Sequence, residues 1–108
     1  MIAKGEEMEG YKLVRDRIPD IIHKNGETCK ILHLVTDQEY EEALLEKFHE
    51  EVTEYQLDRT LEELADILEV ISAIAELKHS SLEEINQIRL QKVLNRGGFE
   101  KRIMLKLE

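Results

Sequence analysis

The chain has 108 residues, 24 acidic against 15 basic, and a formal charge of −9. That length suits one domain, and the acidic balance argues against a nucleic-acid-binding module, which needs a net basic footprint. No signal peptide and no apolar run of membrane-spanning length is evident, so the expectation is a soluble, cytoplasmic protein without a membrane partner.

Taken in chain order, segment 1–10 is polar and lacks periodicity, and is expected to be poorly ordered. Residues 11–17, YKLVRDR, read as an extended or irregular lead-in. Pro19 suits the first turn of a helix, and Gly26 suits a stop, which predicts a short helix over residues 19–24. Residues 29–35 are rich in β-branched and aliphatic side chains and read as a strand. Thr36 followed by Glu39 is a capping box, opening a long helix over about residues 37–57. Asp58 and Arg59 make a tight turn, and Thr60 with Glu63 is a second capping box for a helix running to about Lys78. Ser80 or Ser81, with Glu83 or Glu84, opens a fourth helix that ends at Asn95 or Arg96, before Gly97-Gly98. The tail alternates Ile103, Leu105 and Leu107, which suits a strand paired with residues 30–34. The expected fold is therefore mainly all-α, an antiparallel bundle of about four helices with a small peripheral β-hairpin or sheet.

The third predicted helix is apolar on two sides. Leu64, Ile67, Leu68, Ile71, Ile74 and Ala75 form one face, and Val70, Ala73 and Leu77 another. A helix apolar on more than one side is buried on more than one side. A second copy of the chain is expected to cover the second face, around Val70, Ala73 and Leu77, giving a homodimer or homotetramer.

Two acidic pairs break this apolar pattern. Tyr40, Ala43, Leu44, Phe48, Val52 and Tyr55 trace one face of the long helix. Glu51 falls inside that stripe and Glu54 near its edge. On the next helix the seam of Val70, Ala73 and Leu77 extends back through Asp66 and Glu63. Residues three apart share a helix face, and the short turn makes the two helices antiparallel, so all four carboxylates should gather at one end of the hairpin. Buried carboxylates without partners are costly. A divalent cation such as Mg²⁺ or Mn²⁺ would relieve the conflict, because hard cations prefer carboxylate oxygens. Glu63 can instead serve only as the capping partner of Thr60, Asp66 can simply favour the positive end of its helix, and Glu50 can be an ordinary exposed charge. Glu51 has no such routine explanation. Zinc is not expected, since the single Cys29 and four scattered histidines form no ligand motif.

The charge is unevenly spread. Thirteen acidic and two basic residues lie within residues 37–69, whereas residues 87–108 carry six basic and two acidic. An acidic centre with basic flanks suits a metal site whose phosphate partners come from distant segments. Arg15 and Arg17 precede the first helix, Arg96 adjoins the glycine pair, and Lys47 lies one turn before Glu51. Each is a candidate phosphate contact, and for Lys47 simple pairing with an acid is an equal alternative. A helix C-cap with a solvated Arg96 is the plain reading of Gly97.

Glu50-Glu51-Val52-Thr53-Glu54 is an EExxE motif, and Glu63-Leu64-Ala65-Asp66 an ExxD motif on the following helix. Together they resemble the signature of the all-α NTP pyrophosphatase superfamily, which includes MazG proteins, dimeric dUTPases and phosphoribosyl-ATP pyrophosphohydrolase. The flanks KLVRDRIPDII and RGGFEKRIMLKLE look like those of its small single-domain MazG-like group, so residues 11–108 would form that domain. The resemblance implies Mg²⁺-dependent hydrolysis of a nucleoside triphosphate to monophosphate and pyrophosphate. It implies Glu51, Glu54, Glu63 and Asp66 as metal ligands and leaves Glu50 to orient or deprotonate the attacking water. Only eight residues separate the two motifs here, a short connection that shortens the substrate-facing end of the hairpin. Housecleaning of non-standard nucleotides is the leading expectation. The phosphoribosyl-ATP reaction of histidine biosynthesis and a non-catalytic helical dimerisation or metal-binding protein are the alternatives.

Overall fold

A computed structural model describes residues 9–108. The expectation for segment 1–10 therefore lies, apart from its last two residues, outside the described residues. Four helices follow in order: α1 (Ile18–Lys24), α2 (Asp37–Asp58), α3 (Leu61–Leu77) and α4 (Leu82–Arg96). No strand occurs among the described residues. The chain is all-α.

Side chains at the helix starts satisfy the orphan N–H groups that every helix leaves. Pro19 occupies the first turn of α1, where its missing N–H costs nothing. Thr36 Oγ1 accepts from the Glu39 N–H at 3.1 Å and donates to the Glu39 carboxylate at 2.8 Å. Thr60 Oγ1 accepts from the Glu63 N–H at 3.3 Å. At α4 the cap is Ser81, which accepts from the Glu84 N–H at 3.1 Å, while the Ser80 hydroxyl donates to the Glu84 carboxylate at 2.6 Å. At the other end of α4, Gly97 takes φ +83° and donates its N–H to the Val93 carbonyl, a conformation open to glycine at little steric cost.

The reversal between α2 and α3 takes two residues. Arg59 adopts the left-handed conformation, with φ 54°, and donates its N–H to the Tyr55 carbonyl at 2.8 Å. Thr60 then caps α3 directly. The two helices run antiparallel along each other, and an ion pair from Glu41, near the start of α2, to Lys78, just past the end of α3, ties the far end. α4 packs against α3 alone, and α1 packs along none of the other helices.

The core sits between α2 and α3. Leu44, Val70 and Ala75 are buried, and Ala43, Phe48, Val52, Ile67, Ala73 and Leu77 are half-buried around them. The Val70 seam thus packs within the chain, against α2. The side of α3 left without cover is that of Leu61, Leu64 and Leu68, which are 79%, 43% and 48% exposed. Ile88 and Leu94 on α4 and Phe99, Ile103, Leu105 and Leu107 in the tail are exposed as well. The radius of gyration is 17.9 Å, against about 13 Å for a compact chain of this length.

The expected sheet is not present among the described residues. Residues 29–35 and 101–107 have no regular structure, and no backbone hydrogen bond joins them. β-branched composition favours an extended chain, but a strand is stable only when its backbone groups meet a neighbouring edge. No helix among the described residues is long and apolar enough to cross a membrane.

Because so few apolar side chains are fully buried, each counts heavily. Leu44→Ala should lower the unfolding free energy by about 2–5 kcal/mol, read as a fall in the urea midpoint. A change below about 1 kcal/mol would mean that the α2–α3 seam is not the chain's main core.

Candidate metal centre

The acids gather at the end of the hairpin where α2 finishes and α3 begins. On α2, Glu51, Glu54 and Asp58 follow at intervals of three and four, which places them on one face. On α3, Glu63 and Asp66 are three apart, and Glu63 lies in the first turn. The antiparallel packing brings the two faces together. One carboxylate oxygen each from Glu51, Glu63 and Asp66 lie within 4.8 Å of one another. A second set, Glu54, Asp58 and Glu63, meets the same limit. Glu63 belongs to both. Its backbone N–H serves the Thr60 cap, so capping and clustering use different atoms of one residue and do not compete.

Three cations border the cluster. Lys47 Nζ stands 3.3 Å from Glu51 Oε1 and 3.5 Å from Glu50 Oε1. Lys12 Nζ is 3.4 Å from Glu50 Oε1, and Arg15 Nη2 is 2.7 Å from Asp66 Oδ1. The burial of Glu51 therefore has a protein partner in Lys47, one helical turn earlier, and needs no metal to be tolerated. Glu54, Asp58 and Glu63 make no ion pair among the described residues. The excess of negative charge falls on that side. The Glu63 carboxyl is accordingly held above its ordinary pKa, first by desolvation and then by the charges of Asp66, Asp58, Glu54 and Glu51.

Of the four ligands expected from the motifs, Glu51, Glu63 and Asp66 converge, while Glu54 meets Glu63 through the second set with Asp58. Glu50 lies in neither set and is flanked by Lys12 and Lys47. Among the expected phosphate contacts, Arg15 and Lys47 stand at the acids. Arg17, the residue before α1, and Arg96, the last residue of α4, pair with none of them. Two residues escaped the sequence reading. Asp58, read as a turn residue, lies four after Glu54 and seven after Glu51 on the same face, a spacing that was visible. Lys12 reaches Glu50 across 38 positions of sequence, which no local pattern signals.

The donor set is all carboxylate, with no histidine or cysteine, and that chemistry suits Mg²⁺ or Mn²⁺ over softer ions. The Arg15–Asp66 pair is largely exposed, at 57% and 39% for its two side chains. Such a pair is worth about 0–1 kcal/mol, so Arg15 is easily displaced from Asp66. No protein-family model, curated protein or solved structure matches this chain.

The raised Glu63 carboxyl has a consequence for pH. A proton bound more tightly in the folded state stabilises the fold fully below the ordinary value of 4.5. That contribution is lost as pH rises through the folded pKa. Glu63→Gln should therefore raise the melting temperature of the metal-free protein at neutral pH, with the gain vanishing towards acid pH. The same variant should weaken Mg²⁺ binding by calorimetry. A variant no more stable than the parent at neutral pH in chelator would reject the crowded-charge account.

Proposed function

We propose that this chain is a Mg²⁺- or Mn²⁺-dependent nucleoside triphosphate pyrophosphohydrolase of MazG-like type. It cleaves between the α and β phosphates and releases monophosphate and pyrophosphate, as housecleaning of non-standard nucleotides requires. One observation carries the reading: carboxylates from two antiparallel helices converge within 4.8 Å, at the positions that the EExxE and ExxD motifs mark. In this reading Glu51, Glu54, Glu63 and Asp66 hold the cation, with Asp58 beside them. Bound there, the cation neutralises triphosphate charge and polarises the phosphoryl group. Glu50, outside both acid sets and beside Lys12 and Lys47, accepts the proton of the attacking water. With a cation held by these acids, Lys47 and Arg15 would be available to phosphate, Arg15 most readily because its pair is exposed.

The proposal extends to assembly. A second copy of the chain covers the Leu61, Leu64 and Leu68 side of α3, an uncovered apolar surface that a stable soluble domain rarely leaves exposed. The same partner offers an edge to residues 30–34 and to the Ile103, Leu105 and Leu107 tail, which then pair as the peripheral strands.

Mg²⁺-dependent release of pyrophosphate from a panel of nucleotides, phosphoribosyl-ATP included, tests the activity. Hydrolysis in ¹⁸O-water should label the monophosphate alone. Glu50→Gln should lower turnover about 10²–10⁴-fold, the range of general-base assistance, with Mg²⁺ affinity nearly unchanged. Orthophosphate as first product would exclude this chemistry, and no hydrolysis at all would favour a non-catalytic metal-binding protein.

Sedimentation at micromolar concentration should give at least a dimer, and Leu64→Lys with Leu68→Lys should shift it towards monomer. A folded monomer at all concentrations would refute the assembly.

A further inference from the structure

A cavity of about 530 Å³ lies between the lead-in, residues 31–37 and the flank of α2. It falls within the range of about 300–1,000 Å³ usual for small-molecule sites. Three kinds of wall meet in it. Leu13, Leu32 and the half-buried Tyr40 give it an apolar body. Asp16 and Asp37 add hydrogen-bond acceptors. Lys12, Arg15, Lys47 and Glu50 form the third wall, and the cations of that wall are the ones paired with Glu50, Asp66 and Glu51. The cavity therefore adjoins the carboxylate cluster through a shared row of cations.

A ligand suited to this space has a flat, largely apolar body with polar edges and an anionic end that reaches the cations. A hydrocarbon tail would make no use of the acceptors of Asp16 and Asp37. A bare polyphosphate would leave the apolar wall uncovered. We propose that the cavity is the nucleoside compartment of the site: base and ribose lie against Leu13, Leu32 and Tyr40, and the phosphates pass Lys12, Arg15 and Lys47 towards the acids. This rests on the pyrophosphohydrolase reading and goes beyond it, because it places substrate selection in the lead-in, residues 31–37 and the first half of α2, away from the end of the hairpin that carries the EExxE and ExxD motifs. Lys12, which that reading did not include, becomes a phosphate contact.

Calorimetry of the full chain with Mg²⁺ separates the possibilities. The probes are inorganic tripolyphosphate and the α,β-methylene analogues of ATP, GTP, CTP and UTP, which resist cleavage at the relevant bond. At least one analogue should bind about tenfold or more tighter than tripolyphosphate, a difference of about 1.4 kcal/mol. Ala43→Leu, which fills the cavity from α2, should erase that advantage and leave tripolyphosphate and Mn²⁺ affinities within about twofold. Val14→Trp, at a lining residue 39% exposed, should do the same without touching the core, which covers the case in which Ala43→Leu misfolds. Lys12→Gln should weaken all triphosphates alike. The proposal is overturned if every analogue binds no better than tripolyphosphate, or if the advantage survives both filled variants. Mg²⁺-dependent hydrolysis persisting under either outcome would leave the pyrophosphohydrolase reading standing and place the base elsewhere. Neither binding nor hydrolysis of any triphosphate would sink both.

Discussion

Where α2 ends and α3 begins, a helix interface that would ordinarily be closed by leucine is closed by charge. Glu51, Glu54, Asp58, Glu63 and Asp66 crowd one end of the hairpin, and the consequences spread outward from that repulsion. Lys47 answers Glu51 from within α2. Lys12 and Arg15 answer Glu50 and Asp66 from the far side of the sequence, and in doing so hold the lead-in against the hairpin. The cavity lies between the lead-in, residues 31–37 and the flank of α2.

The balance of these pairs decides what the site can exchange. The Lys47–Glu51 pair is well shielded, with side chains 18% and 11% exposed, whereas Arg15 and Asp66 are open to solvent. A cation at the acids, as proposed, would compete with a screened, weak pair at Asp66 and with a sheltered one at Glu51. The end of the hairpin nearest the turn, where Glu54, Asp58 and Glu63 have no cation among the described residues, carries the greatest unmet charge and hence the raised Glu63 carboxyl.

Local rules were fully legible along the chain. Thr36 with Glu39, Thr60 with Glu63, and the serine pair with Glu84 marked the helix starts, since capping is decided within one turn. The Glu51 anomaly was legible because helical periodicity fixes which residues share a face. The small sheet is absent from the described residues for a related reason. Alternation in residues 29–35 and in the tail reports a preference for extended backbone, but pairing depends on an edge that no local sequence supplies. The Val70, Ala73 and Leu77 side of α3 was expected to meet a second copy, but it packs against α2 within the chain. Which side α2 would cover was a matter of packing.

Sequence thus settled the helices, the caps of α2 and α3 and the presence of an acidic face on each arm of the hairpin, since each depends on residues within one or two turns. Tertiary structure decided which carboxylates meet, that Asp58 joins them, and that Lys12 and Arg15 cross 38 and 51 positions to reach Glu50 and Asp66. It also decided that the Val70 side of α3 faces α2 while the Leu64 side stays open. Electrostatic partners and interface choice depend on distances between segments remote in the chain, and spacing along a helix carries no information about them.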